Sequence, residues 1–182
     1  MNVLKAVKLE LFTHFEVVFA YAKSLFYQQN LVMRAIIQRV SEASVKINGE
    51  MHGEIKHGLL ILLGVGKEDQ QDDLHWLVNK ITDLRIFSDK AGKMNLSVQD
   101  VEGSCLVVSQ FTLHAKTKKG TRPSFIHAAP PDQAIPLYEK FIEALKTKKI
   151  AEVQTGKFGA DMKVQLINDG PVTILLDTKN KE

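Results

Sequence analysis

The chain has 182 residues, 45% of them hydrophobic and 25% charged, a balance that suits one folded domain with a full core and excludes a disordered chain. A formal charge of +3 is too small to mark a nucleic-acid binder by itself, so a polyanion site has to come from local clustering. The single cysteine excludes a disulfide framework and a cysteine-built zinc cluster, and it fits a reducing cytoplasm.

Residues 1–32 differ from the remainder of the chain. They are rich in aromatic residues, hold no glycine or proline, and could form an amphipathic helix. Glu10 and Glu16 interrupt any signal-peptide core, and charged residues recur too often for a membrane span. Met33 then opens "MRAIIQRVSEASVKI", which reads like a protein start leading directly into strands, so 1–32 is expected to be an appended or mis-assigned leader and 33–182 one domain.

From Met33 the pattern predicts an antiparallel meander: "RAIIQRV", "ASVKIN" and "GEI", with Asn48-Gly49 as a hairpin pair. "GLLILLGV" (58–65) is apolar at every alternation, which marks a central strand covered on both faces. Leu74, Leu77, Val78, Ile81 and Leu84 recur at three and four, behind Asp72 and Asp73, and predict an amphipathic helix between Asp72 and Phe87. A strand is expected over "CLVVSQFTL" (105–113) and a second helix after "PPDQ", with Leu137, Phe141 and Leu145 on one face. The last third returns to strand from Val164 to Asp177, interrupted by Gly170-Pro171. Proline removes a ladder donor and glycine weakens a strand, so this pair reads as a tight turn between two strands. The fold class is therefore α+β: a strand-rich sheet, or a barrel-like core, carrying two helices.

Most catalytic patterns are missing. "GVGKED" lacks the spacing of a P-loop and the third glycine of a dinucleotide fingerprint. Neither H-E-x-x-H nor C-x-x-C occurs, and the histidines are scattered, so no metal and no cofactor is expected. Ser109 and Thr112 are possible nucleophiles, but no G-x-S-x-G surrounds them. Lys116, Lys118, Lys119 and Arg122 crowd one short loop, either as a solvated turn or as a contact for polyanions.

The combination carries more than its parts. "MRAIIQRV" (33–40), "GLLILLGV", "SQFTL" (109–113), "KGTRPSF" (119–125) and "FGADMKVQLINDGPVT" (158–173), in this order, resemble the bacterial-type D-aminoacyl-tRNA deacylases, formerly called D-tyrosyl-tRNA deacylases. The resemblance covers 33–182 and none of 1–32. It implies hydrolysis of the ester of D-aminoacyl-tRNA to free D-amino acid and tRNA, in the cytoplasm, by a homodimer with no cofactor and no membrane attachment. Gly170 and Pro171 match the family's Gly-cis-Pro selector, which enters the partner subunit's active site, and Arg39 matches an arginine that holds it. Ser109, Gln110, Phe111 and Thr112 match the pocket for the aminoacyl-adenosine, with Phe111 near the adenine. Water attacking the ester, with backbone N–H groups around Phe111 and Thr112 binding the oxyanion, is preferred to a Thr112 nucleophile, because no base is placed by sequence to activate that hydroxyl. Lys116, Lys118, Lys119 and Arg122 would meet tRNA phosphates, and Arg122 could instead serve the dimer contact. Glycyl-tRNA is expected to be hydrolysed too. Two alternatives remain: a non-catalytic RNA-binding module of the same fold, and a serine or threonine esterase for small substrates.

Overall fold

The structure is a computed structural model that describes residues 32–118 and 120–181. The expected leader therefore lies, but for Val32, outside the described residues.

One long strand organises the fold. β1 (Arg34–Ile47) pairs antiparallel with three others, so "RAIIQRV" and "ASVKI" form one continuous strand where the sequence predicts two. Its first half pairs with β3 (Gly58–Gly64), its second half with β2 (Glu50–Ile55), and its whole length with β8 (Met162–Asp177). The β1–β2 hairpin turns at Asn48-Gly49, both at positive φ (52° and 85°), as the mirror-image turn of a two-residue hairpin requires.

Beyond β3 the pairing changes direction. β6 (Ser104–Ser109) lies parallel to β3, and β7 (Val153–Thr155) parallel to β6, so the sheet is not a simple meander. The sheet runs β2-β1-β3-β6-β7 and curls until its ends meet. A Cβ on Gly53 of β2 would stand 2.9 Å from the Thr155 carbonyl of β7, so glycine there permits the close approach. The result is a nearly closed, barrel-like sheet. A small separate ribbon, β4 (Phe87–Ser88) with β5 (Met94–Leu96), was not visible in the sequence pattern.

Among the described residues, two α-helices cover one face. α1 (Gln71–Asp83) starts where the Gln70 N–H donates to the Asp73 carboxylate at 3.1 Å, and it ends before Leu84, which is extended. α2 (Pro131–Lys146) begins with proline at its first position, where the missing N–H costs nothing. Leu74, Leu77, Val78 and Ile81 of α1 pack with Phe141 and Leu145 of α2 over Leu59, Ile61 and Leu63 of β3. Leu60, on the opposite face of the same strand, points into a second core with Val40, Val45, Leu106 and Val108. Burial on both faces is what the uninterrupted apolar run of β3 requires.

β6 ends sooner than its apolar run suggests. The strand stops at Ser109, and residues Phe111–His114 wind into a 3-10 turn, so "SQFTL" is a strand end followed by a helical corner and not a strand to Leu113. The last strand also departs from the expected turn. β8 keeps one direction against β1 from Met162 to Asp177, with Gln38 opposite Thr173 and Val40 opposite Asn168. Asp169–Val172 therefore loops out opposite Arg39 and returns to the same ladder, and the chain does not reverse at Gly170-Pro171.

Candidate functional site

The out-looped segment is tied at its base and from behind. Asn168 closes the base: the Val172 N–H donates to its Oδ1 at 2.8 Å, and its amide donates to the Thr173 hydroxyl at 3.0 Å and the Val172 carbonyl at 3.3 Å. Val172 anchors the return by entering the core. Gly170 and Pro171 are left exposed at the tip, joined by a cis peptide bond, with Gly170 at φ 143°. Arg39, only 8% exposed, stands behind them, donating from Nε to the Asp169 carbonyl at 2.8 Å and from a terminal nitrogen to the Ile86 carbonyl at 2.5 Å. Its Nε also lies 3.4 Å from the Asp169 carboxylate. The structure thus places Arg39 against the segment that carries Gly170 and Pro171.

A cavity of about 300 Å³ opens elsewhere, at the end of β6. Ser109, Gln110 and Phe111 form one side, with Tyr138, Phe158 and Ala160 across it. Phe111 is 55% exposed and meets Phe125 edge-to-face, ring centroids 5.0 Å apart, so a large aromatic face is offered to solvent by a rigid corner. Tyr138 is fixed by donating its hydroxyl to the Val107 carbonyl at 2.9 Å, and burial pushes its pKa up. As the first residues of a 3-10 turn, Phe111 and Thr112 have no i−3 acceptor within it for their N–H groups. Gly170 and Pro171 do not line this cavity, so within one chain the tip and the cavity remain apart.

Thr112 faces another way. It lines a second, wider groove with Arg34, Trp76, Leu175 and Asp177. Its hydroxyl accepts a hydrogen bond from the Gln110 amide, and no histidine, lysine or carboxylate among the described residues bonds to it. Behind the corner, His114 is buried, and burial lowers its pKa while the Gly64 backbone opposes the shift more weakly. Cys105 is buried and free, and desolvation pushes its thiol up to about 12, so it is no nucleophile.

The basic loop is a closed excursion beside the corner. Lys116 and Ser124 exchange backbone hydrogen bonds at 2.7 and 3.1 Å, and Lys116, Lys118 and Arg122 are exposed. Lys119 lies outside the described residues. Sequence reasoning missed two further cations. The chain returns to the end of β3, where the Lys67 N–H donates to the His127 carbonyl at 3.2 Å. His127 has its pKa lowered by desolvation first and then by the charges of Lys116, Lys67 and Arg34, so it feels all three cations, although Arg34 is itself paired with Asp177. No spacing rule links Lys67 or Arg34 to the loop; only the fold does.

Among the described residues no group of three or more His, Cys, Asp or Glu is gathered as a metal-binding set, and no helix is long and apolar enough to cross a membrane.

The family profile of D-Tyr-tRNA(Tyr) deacylase matches residues 36–177. A D-aminoacyl-tRNA deacylase of Flavobacterium johnsoniae is 58% identical over 150 residues, which is 82% of this chain and 100% of the relative, and that of Cytophaga hutchinsonii is 60% identical over the same shares. Among solved structures, the c-Myc DNA unwinding element binding protein superposes with a TM-score of 0.75 at 46% identity, covering 79% of this chain and 97% of that one. A probable eukaryotic D-amino acid tRNA deacylase superposes with a TM-score of 0.73 at 16% identity over 81% of this chain, a likeness of fold.

Proposed function

The chain belongs to the D-Tyr-tRNA(Tyr) deacylase family, whose curated members are D-aminoacyl-tRNA deacylases and hence hydrolases, and on that premise we propose that it selects its substrate across the interface of a two-fold dimer. The observation that carries this reading is the exposed Gly170-Pro171 tip, braced by Arg39 yet turned away from its own chain's cavity. A braced backbone loop whose exposed tip does not line its own chain's cavity suits insertion into the cavity of a second copy. The same strand offers exposed Ile167 and Leu175, at 55% and 61%, as apolar surface for that copy to cover.

In the composite site, the aminoacyl ester lies along Ser109, Gln110 and Phe111, with adenine against the exposed Phe111 ring. The N–H groups of Phe111 and Thr112 bind the oxyanion as water attacks. The two carbonyls of the partner's tip accept from the α-ammonium of the substrate. A hydrogen on the α-carbon passes them, whereas an L side chain drives its Cβ into a carbonyl oxygen. Rejection therefore needs no knowledge of the side chain, as an enzyme for many D-residues requires. The loop of Lys116, Lys118, Lys119 and Arg122 meets acceptor-stem phosphates, and the reaction runs in the cytoplasm without a cofactor.

The decisive experiment is complementation. A cavity variant, Phe111→Ala, and a selector variant, Gly170→Ala, are each assayed on matched D- and L-aminoacyl-tRNA and then co-assembled. A mixed dimer contains one intact composite site, so D-specific hydrolysis returns to about half of wild type per mixed dimer. Full D-over-L selectivity from a monomer, or no recovery on mixing, overturns the cross-subunit filter. Binding of tRNA without hydrolysis of any D-ester would instead support an RNA-binding module of the same fold.

A further inference from the structure

A buried carboxylate outside the proposed catalytic site is short of a donor. Asp69, on the loop between β3 and α1, is 2% exposed. Its Oδ2 accepts from the Gly66 N–H at 2.6 Å, but its buried Oδ1 makes no well-formed hydrogen bond among the described residues. The nearby cation does not serve it, because the Lys179 ammonium closes on both oxygens of Asp73 at 2.8 and 2.9 Å. Native proteins rarely leave such an atom unpaired, since the desolvation it suffers goes unreturned.

The backbone N–H of Met33 is near enough to favour the charged carboxylate, though weakly. That residue is fully buried, its N–H donates to the Thr178 hydroxyl at 3.2 Å, and its carbonyl accepts from the Thr178 N–H at 3.1 Å. Desolvation raises the Asp69 carboxyl to about 7; the Gly66 N–H opposes this, Asp73 adds to it, and Lys179 and the Met33 N–H oppose it more weakly. A peptide nitrogen has one hydrogen, and here it is directed to Thr178 at 3.2 Å and reaches Asp69 only weakly. An α-ammonium has three hydrogens and a charge, enough for Thr178 and for Asp69 Oδ1 together.

We propose that Asp69 and Thr178 form a seat for the α-ammonium of residue 33, filled in a form of this protein whose chain starts at Met33. A second observation points the same way: the relatives at 58% and 60% identity are matched over their whole length by 150 residues, and 33–182 is a stretch of that length. The Met33 side chain, among the largest fully buried ones, locks the nitrogen in place. The ion pair then does what a buried carboxylate needs: it supplies charge and a hydrogen bond at once.

The test compares thermal unfolding at pH 8 of the full chain and of a chain starting at Met33 with an unblocked amine confirmed by intact mass, each with and without Asp69→Asn. In the Met33-start chain Asp69→Asn is expected to lower the midpoint by at least about 4 °C, because it removes the partner of a buried ammonium. In the full chain the same substitution leaves the midpoint unchanged or raises it, because the buried Oδ1 it replaces makes no well-formed hydrogen bond among the described residues, while the amide oxygen can still accept from the Gly66 N–H. Acetylating the Met33 amine makes the shorter chain respond like the full one. A shift of the same sign and size in both chains overturns the proposal, as does a Met33-start chain that does not fold or one whose acetylation changes nothing.

Discussion

Arg39 donates from Nε to the backbone carbonyl of Asp169 at 2.8 Å, so a side chain in the middle of β1 fixes the residue that precedes Gly170-Pro171 on β8. Its second bond, to the Ile86 carbonyl, ties the same guanidinium to the segment beyond α1. Arg39→Met keeps the length and removes the donors. Each orphaned carbonyl costs about 1–3 kcal/mol, so stability is expected to fall by roughly 2–4 kcal/mol in urea unfolding. The ratio of D- to L-aminoacyl-tRNA hydrolysis falls at least about tenfold with it. Gly170→Ala reaches the same end from the other side. Its Cβ would stand 2.8 Å from a Val172 methyl and 3.0 Å from the Arg39 guanidinium, at a φ that L-residues rarely adopt. Unchanged selectivity in both variants would separate this brace from substrate choice.

Thr112→Ala is expected to keep kcat within about tenfold of wild type. The Thr112 hydroxyl accepts from the Gln110 amide, which cannot take its proton, and its side chain lines the groove of Arg34 and Leu175, away from the cavity beside Ser109. The backbone N–H groups survive the change. General-base activation of a nucleophile contributes far more than this, about 10²–10⁴-fold. Single-turnover deacylation with a folded variant decides it, and complete loss assigns the attack to Thr112.

Legibility in the sequence depended on what periodicity can carry. β3 and α1 were readable because their side chains answer to one surface each: two buried faces in Leu59–Leu63, one stripe in Leu74–Ile81. The 3-10 corner was not, because Phe111–His114 continues an apolar run and differs from strand only in its backbone hydrogen bonds. The Gly170-Pro171 break was correctly located but read as a reversal. The Asn168 side chain keeps β8 running straight by closing the base of the loop, together with Arg39, 130 residues earlier, bonded to Asp169. Ser109, Gln110 and Phe111 line one cavity while Thr112, grouped with them in the sequence, lines another groove, and Lys67 joins the basic corner only through the return of the chain past His127.

Replacing Lys116, Lys118 and Arg122 by alanine is expected to weaken tRNA binding while leaving the preference for D over L unchanged. All three are exposed, and none lines the cavity. Phosphate pairing acts through counterion release, so the slope of log affinity against log salt becomes shallower by about 0.7–0.9 for each phosphate left unpaired, roughly 2–3 for three. Filter binding of tRNA between 50 and 300 mM salt measures it, on the order of the range in which such slopes are resolved. An unchanged slope places the RNA on another face.

Glycine decides whether selection works by excluding L side chains or by welcoming D ones. It has hydrogen at both α positions, so it presents nothing for the tip carbonyls to strike. A filter of this kind cannot refuse it. L-Alanine adds one methyl on the forbidden side, and a rigid backbone resists that overlap far more than the ~1–3 kcal/mol that a methylene is worth in a hydrophobic pocket. The rigidity is visible in the Asn168 clasp and the Arg39 brace, which leave the loop little room to yield. Glycyl-tRNA is therefore expected to be hydrolysed within about tenfold of the D-alanyl-tRNA rate, and L-alanyl-tRNA at least about 10³-fold more slowly, the latter corresponding to a clash near 4 kcal/mol. The series is run with D-alanyl-, glycyl- and L-alanyl-tRNA at one enzyme concentration. Glycyl-tRNA as resistant as L-alanyl-tRNA would mean that a D side chain is recognised directly, and the search would move to the apolar wall of Tyr138 and Phe158 across the cavity.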